Sequence, residues 1–216
     1  MHFHRRLLPI ILLVTSSLLN ACTQQSVTLA YISNQGDNTI SVIDTKQQKV
    51  IDTIPVDKAP VGIAGSATLQ RVFVTNVDSQ NISVVDTNSN KVIHAIPVEG
   101  SPVGIAMAPN DKTLYVADWY SSRVLAINPK TYAILNQATV DQAPAGIVVS
   151  PDNQRLYVAA RDSNEIAVLN TNDLSIHHRI AVGEHPFGIH LSADGNTLYS
   201  VNVYANTVSI IDTQSW

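Results

Sequence analysis

An all-β fold of repeated four-stranded sheets, a β-propeller, is predicted by three observations. The first is a fixed period: Pro60, Pro102, Pro144 and Pro186 each open a Pro-x-Gly-Ile element, so that Gly62, Gly104, Gly146 and Gly188 recur every 42 residues. The second is that the same step carries Tyr31 to Phe73, Tyr115, Tyr157 and Tyr199, and Asp44 to Asp86, Asn128, Asn170 and Asp212. The third is content: each copy holds short β-branched and aromatic runs separated by Asn, Asp, Gly, Pro and Ser. A period in the low forties with strand-like content is the mark of a propeller blade.

The N-terminal 22 residues stand outside the repeat. Arg5 and Arg6 precede a short apolar stretch from Leu7 to Leu19, interrupted by Pro9, which is too short for a permanent membrane span and reads as an export signal. Cys22 is the only cysteine, so no intramolecular disulfide is possible. Leu19-Asn20-Ala21-Cys22 resembles the lipobox of bacterial lipoproteins, which implies acylation of Cys22. The alternative is a plain secretory signal with an incidental cysteine. Thr23 stands where an Asp would signal inner-membrane retention, so the lipoprotein rule implies the outer membrane, on its periplasmic side. The expected organisation is a signal over 1–21, a short linker with lipidated Cys22 over 22–28, and the propeller over 29–216.

Loss of Arg5 and Arg6 on cleavage leaves 11 of the 13 basic residues against 17 acidic ones, a net charge of −6. That balance argues against nucleic acid as the main partner, because such binding rests on neutralising phosphates with Lys and Arg. With 45% hydrophobic and 14% charged residues, the remainder has enough apolar material for a sizeable core.

Within the repeats, the copy that starts at Pro102 shows the element plan, with strands at 102–106, 114–118, 124–128 and 133–140. Turns such as Pro109-Asn110-Asp111-Lys112 and Pro151-Asp152-Asn153-Gln154 join the first strand to the second, giving an antiparallel meander. Residues 29–55 supply the second to fourth strands of one blade, three complete blades run from Pro60 to Val182, and 186–212 supply the first three strands of another. The two partial blades do not complement each other, since both hold second and third strands. A propeller normally closes by exchanging a strand between its termini. The expectation is therefore an incomplete, truncated seven-bladed propeller; the alternative is an open ring of five blades protected by self-association through its open edges.

Phe73-Val74-Thr75-Asn76, followed by Asn81-Ile82-Ser83-Val84-Val85-Asp86-Thr87, resembles the YVTN family of β-propellers, of YncE-like type, as does Asn206-Thr207-Val208-Ser209-Ile210-Ile211-Asp212-Thr213. The resemblance covers essentially all of 29–213 and implies that the Pro-x-Gly-Ile strand lies nearest the central axis, where a glycine permits close approach of neighbouring backbones. It implies little about function.

Positions that recur in every copy belong to the fold, and positions that differ are free to carry specificity. Strand alternation puts the second-to-third-strand loops and the inter-blade loops on one face. There Trp119 and Tyr120 replace small or polar residues and form a candidate aromatic anchor, or else pack over a blade edge. Arg161 and Asp162 offer a charged contact on the same face, or a solvated pair, and Tyr204 adds another aromatic ring. His185 and His190 lie in or beside the last inner strand, one of them approaching the channel. Five residues apart, they point to opposite faces and make no simple metal site.

No catalytic motif, haem attachment motif or phosphate-cradling glycine loop occurs, and no cofactor is expected. Asp44, Asp86 and Asp212 read as turn residues rather than acid or base groups. The leading expectation is an envelope lipoprotein whose propeller is a non-catalytic binding platform for an envelope protein or small ligand. The alternatives are a propeller enzyme, of lyase or dehydrogenase-like type with His185 or His190 as acid–base group, and a truncated remnant without activity.

Overall fold

A computed structural model describes residues 28–215. The expected signal, linker and Cys22 lie outside the described residues, apart from Thr28 at the end of the linker. Five antiparallel sheets follow one another along the chain. The first holds β1 (Leu29–Asn34), β2 (Thr39–Asp44) and β3 (Lys49–Pro55). The second holds β4 (Pro60–Ser66), β5 (Arg71–Asn76), β6 (Asn81–Asp86) and β7 (Lys91–Pro97). The third holds β8 (Pro102–Met107), β9 (Leu114–Asp118), β10 (Arg123–Ile127) and β11 (Ile134–Thr139). The fourth holds β12 (Pro144–Val149), β13 (Arg155–Ala160), β14 (Glu165–Asn170) and β15 (Ile176–Ala181), and the fifth β16 (Pro186–Leu191), β17 (Thr197–Asn202) and β18 (Thr207–Asp212). Three complete meanders thus stand between two three-stranded ones, as the period predicts.

The sheets pack face to face, and the core is a series of apolar layers between them. Phe73, Ile82, Val84 and Ile96 of the second sheet meet Ile105, Leu114, Val116, Leu125 and Ile127 of the third. Tyr115, Val124 and Ala126 meet Leu156, Val158 and Leu169 of the fourth, while Tyr157, Ile166 and Val168 meet Leu191 and Leu198 of the fifth. Alternation along each strand gives every middle sheet two buried faces, so its β-branched runs carry few polar residues. On the fifth sheet the positions equivalent to Tyr157, Ile166 and Val168 are Tyr199, Val208 and Ile210, which are exposed among the described residues.

Strands β4, β8, β12 and β16 pack side by side. Their Pro-x-Gly-Ile segment is a bulge: proline and isoleucine pair with the next strand of the sheet, while x and glycine fall out of register. A side chain at Gly62, Gly104 or Gly146 would collide with the carbonyl oxygen of Val103, Ala145 or Phe187 on the neighbouring inner strand. That contact explains why the motif needs glycine there.

The recurrent polar residues also act locally. Asp44 Oδ1 accepts from the backbone N–H groups of Lys46 and Gln47, Asp86 Oδ1 from those of Asn88 and Ser89, and Asn128 Oδ1 from those of Lys130 and Thr131. These are the turn bonds the sequence pattern implies.

Candidate functional site

The loop face is assembled by backbone bonds between its two loop classes. Trp119 N–H donates to the Ser101 carbonyl, Arg161 N–H to that of Ala143 and Val203 N–H to that of His185, so each hairpin loop rests on the inter-blade loop before its own sheet. Packing of the sheets then brings residues that follow β9, β13 and β17 into contact although 42 or 43 positions separate neighbours in the chain.

Most of the candidate residues converge there. Arg161 places its guanidinium carbon 5.3 Å from the Trp119 ring centroid and 5.4 Å from that of Tyr204, within cation–π range of both. The same guanidinium is paired with the Asp162 carboxylate. Tyr204 meets His185 edge-on at 4.1 Å between centroids, and His185 Nε2 lies 3.7 Å from Asp162 Oδ1. His185 Nδ1 is buried without a hydrogen-bond partner. Asp162, one wall of this chain of contacts, is the residue that neutralises Arg161, so the cluster presents aromatic surface with little net charge of its own.

Beside the cluster lies a cavity of about 250 Å³, lined by Trp119, Tyr120, Phe187, Val61, Val77 and Val103, with Gln35 and Ser101 as polar members. Tyr120 is 81% exposed and stands at its mouth. Phe187 packs against Trp119 at 5.9 Å between centroids. Sequence reasoning missed Phe187, Val61 and Val103, which all occupy the x of Pro-x-Gly-Ile. Their side chains reach the cavity because the bulge frees x from strand pairing. The available signal was variation inside a fixed motif: x reads Val61, Val103, Ala145 and Phe187, and the small Ala145 leaves room between the third and fifth sheets for Phe187 to meet Trp119.

His190 is not part of this group. It pairs in register with Tyr199 on β16 and β17, faces the same side of the fifth sheet as Tyr199 and is exposed there. The sequence reading placed one histidine near the channel, and of the two it is His185 that joins the loop cluster.

A second polar cluster occupies the rim between the third and fourth sheets. Arg179 Nε lies 2.8 Å from Asp141 Oδ2 and 3.2 Å from Glu165 Oε1. Burial pushes the Glu165 carboxyl above the usual glutamate range, and the adjacent Asp141 carboxylate adds to the rise. Burial also acts to raise Asp141, but its bonds to Arg179 and Glu165 outweigh that and hold it below the usual aspartate range. Among the described residues no three His, Asp or Glu side chains are grouped as metal ligands.

Two family models match the chain. One, described as a lactonase with a seven-bladed β-propeller, matches residues 105–215, just over half of the 216 residues. The other, a YncE-like β-propeller, matches residues 20–108. No curated protein matches. Among solved structures, a functionally unknown protein from Desulfotomaculum acetoxidans is 18% identical with a TM-score of 0.76, over 87% of this chain and 62% of that one. A candidate 6-phosphogluconolactonase from Bacteroides uniformis is 18% identical with a TM-score of 0.72, over 85% of this chain and 63% of its own length. Hydrazine synthase of Kuenenia stuttgartiensis is 16% identical with a TM-score of 0.52, over 86% and 92%. This chain thus spans about three fifths of the first two structures, and at these identities the likeness concerns the fold.

Proposed function

We propose, for a chain that belongs to the lactonase seven-bladed β-propeller family and carries a YncE-like first half, that it is a cell-envelope lipoprotein whose propeller is a non-catalytic binding platform. One observation carries the binding role: three sheets each contribute a variable loop residue to the same place, with Arg161 held between Trp119 and Tyr204 beside an aromatic cavity. Rigid aromatic side chains at the centre of a preformed concavity are the usual anchors of recognition. The envelope assignment is supported by the Leu-x-Ala-Cys segment that ends at Cys22.

The test is capture of envelope components by the purified domain, wild type against Trp119→Ala combined with Arg161→Ala. The expected result is loss of the captured partner or ligand with an unchanged far-ultraviolet spectrum. Equal capture by both proteins removes this site from the proposal.

The lactonase model and the His185–Asp162 contact favour a second reading, hydrolysis of a lactone with His185 as general base. Against it, the cavity is mainly apolar and aromatic, and His185 is not among its lining residues. Hydrolysis of a sugar lactone by the wild type that His185→Gln abolishes would favour this reading over the platform.

A further inference from the structure

We infer that the cavity beside Trp119 takes a small organic cation of the quaternary ammonium type, an inference that rests on the binding-platform reading. Three observations carry it. First, the walls are rings: Trp119, Tyr120 and Phe187 converge on a space of about 250 Å³, and its polar members, Gln35 and Ser101, are uncharged. Such a space has no carboxylate or ammonium to pair with an ion, but the ring faces carry the negative side of their quadrupoles and attract a diffuse positive charge. Second, Trp119 already engages a cation in this way, since Arg161 lies within 5.3 Å of its ring centroid.

Third, the field on this face has the right sign. Its hairpin loops carry Asp37, Asp78 and Asp162, and its inter-blade loops Asp57, Glu99, Asp141 and Glu184, against Lys58 and Arg161. Arg161 is neutralised by Asp162, and the nearby Arg123 and Arg179 are held by Asp118 and by Asp141 with Glu165. On the opposite face the turns and the strand ends that flank them are balanced, with Asp44, Asp86, Asp111, Asp152, Asp173, Asp194 and Asp212 against Lys46, Lys49, Arg71, Lys91, Lys112, Lys130 and Arg155. A cation is therefore drawn to the face that holds the aromatic cavity, and an anion is repelled from it. A quaternary ammonium suits the site better than a primary one, because its methyl groups bury against Val61 and Val103 and leave no N–H donor without a partner.

The test uses choline and its uncharged isostere 3,3-dimethylbutan-1-ol as probes, titrated calorimetrically into the mature domain. Choline is expected to bind saturably, about fivefold or more tightly than the neutral alcohol. Trp119→Leu, which keeps apolar bulk and removes the ring, is expected to weaken choline about tenfold and to change the alcohol by less than about twofold. Equal affinity for the two probes, or no saturable choline binding by the folded wild type, overturns the inference. If a neutral ligand instead binds in a manner that Trp119→Leu abolishes, the cation assignment fails while the platform stands; loss of every Trp119-dependent binding event removes both.

Discussion

A carboxylate that is partly buried and gains a neighbour of the same sign resists ionisation, and Glu165 is in that position beside Asp141. Because its value in the fold is raised, its contribution to stability is whole below the usual glutamate range and is lost as pH rises through the raised value. Asp141 runs the other way, its contribution lost as pH falls through its lowered value. Glu165→Gln imitates the protonated form and is expected to raise the melting temperature by about 1 to 2 °C at pH 7 to 8, a gain that vanishes toward pH 4. Thermal unfolding at both pH values checks this, and a gain that is the same at pH 4 counts against the account. At this scale the sequence was informative where a residue broke the repeat, as at Trp119, Tyr120 and Arg161. It signalled Phe187 only as variation inside a fixed motif, and the importance of that residue depends on a bulge that turns one motif position out of the strand ladder. It also placed His185 and His190 alike, although only the tertiary fold decides which one faces the loops.

At the scale of the element, the asparagine that closes the Phe73-Val74-Thr75-Asn76 motif proves to be a hairpin lock. Asn76 Nδ2 donates to Asn81 Oδ1 and to Ser83 Oγ, both at 2.8 Å, and Asn34 and Asn202 make the same reach to Ser41 and Ser209. In the third sheet Asp118 bonds to Arg123 instead while Leu125 stands at the serine position, and in the fourth Ala160 and Ala167 stand at the asparagine and serine positions with no polar pair between them. Polar partners are thus kept or lost together, which follows from the cost of leaving one buried polar group alone. Asn76→Ala is expected to destabilise the domain by about 1 kcal/mol or more, and the double change with Ser83→Ala to recover part of that loss. Denaturant unfolding of the two variants measures it; a double variant less stable than the single one by the full cost of a second, independent change would show that the pair is not a unit. The strands and turns themselves were readable in advance because β-branched alternation and Asx turns are local interactions.

For the whole molecule, the propeller body and the N-terminal segment make separate contributions. Cys22 lies outside the described residues, and among those residues no helix is long and apolar enough to cross a membrane. Membrane attachment under the lipoprotein proposal therefore depends on Cys22, and Cys22→Ser is expected to move the protein from the membrane fraction to the soluble fraction and to abolish labelling by a fatty-acid analogue. Retention of both properties by the variant would refute acylation at that residue. What the sequence by itself determined was the blade: its period, its four strands, the turn chemistry between them and the need for glycine on the inner strand. Each of these is set by contacts within one copy or by a constraint that every copy repeats. Only the tertiary structure decided that Arg161 lies between Trp119 and Tyr204 and that Phe187 closes the space beside them, because those contacts join different copies. They are fixed by how far one sheet is turned and shifted against the next, a packing relation that no single repeat encodes.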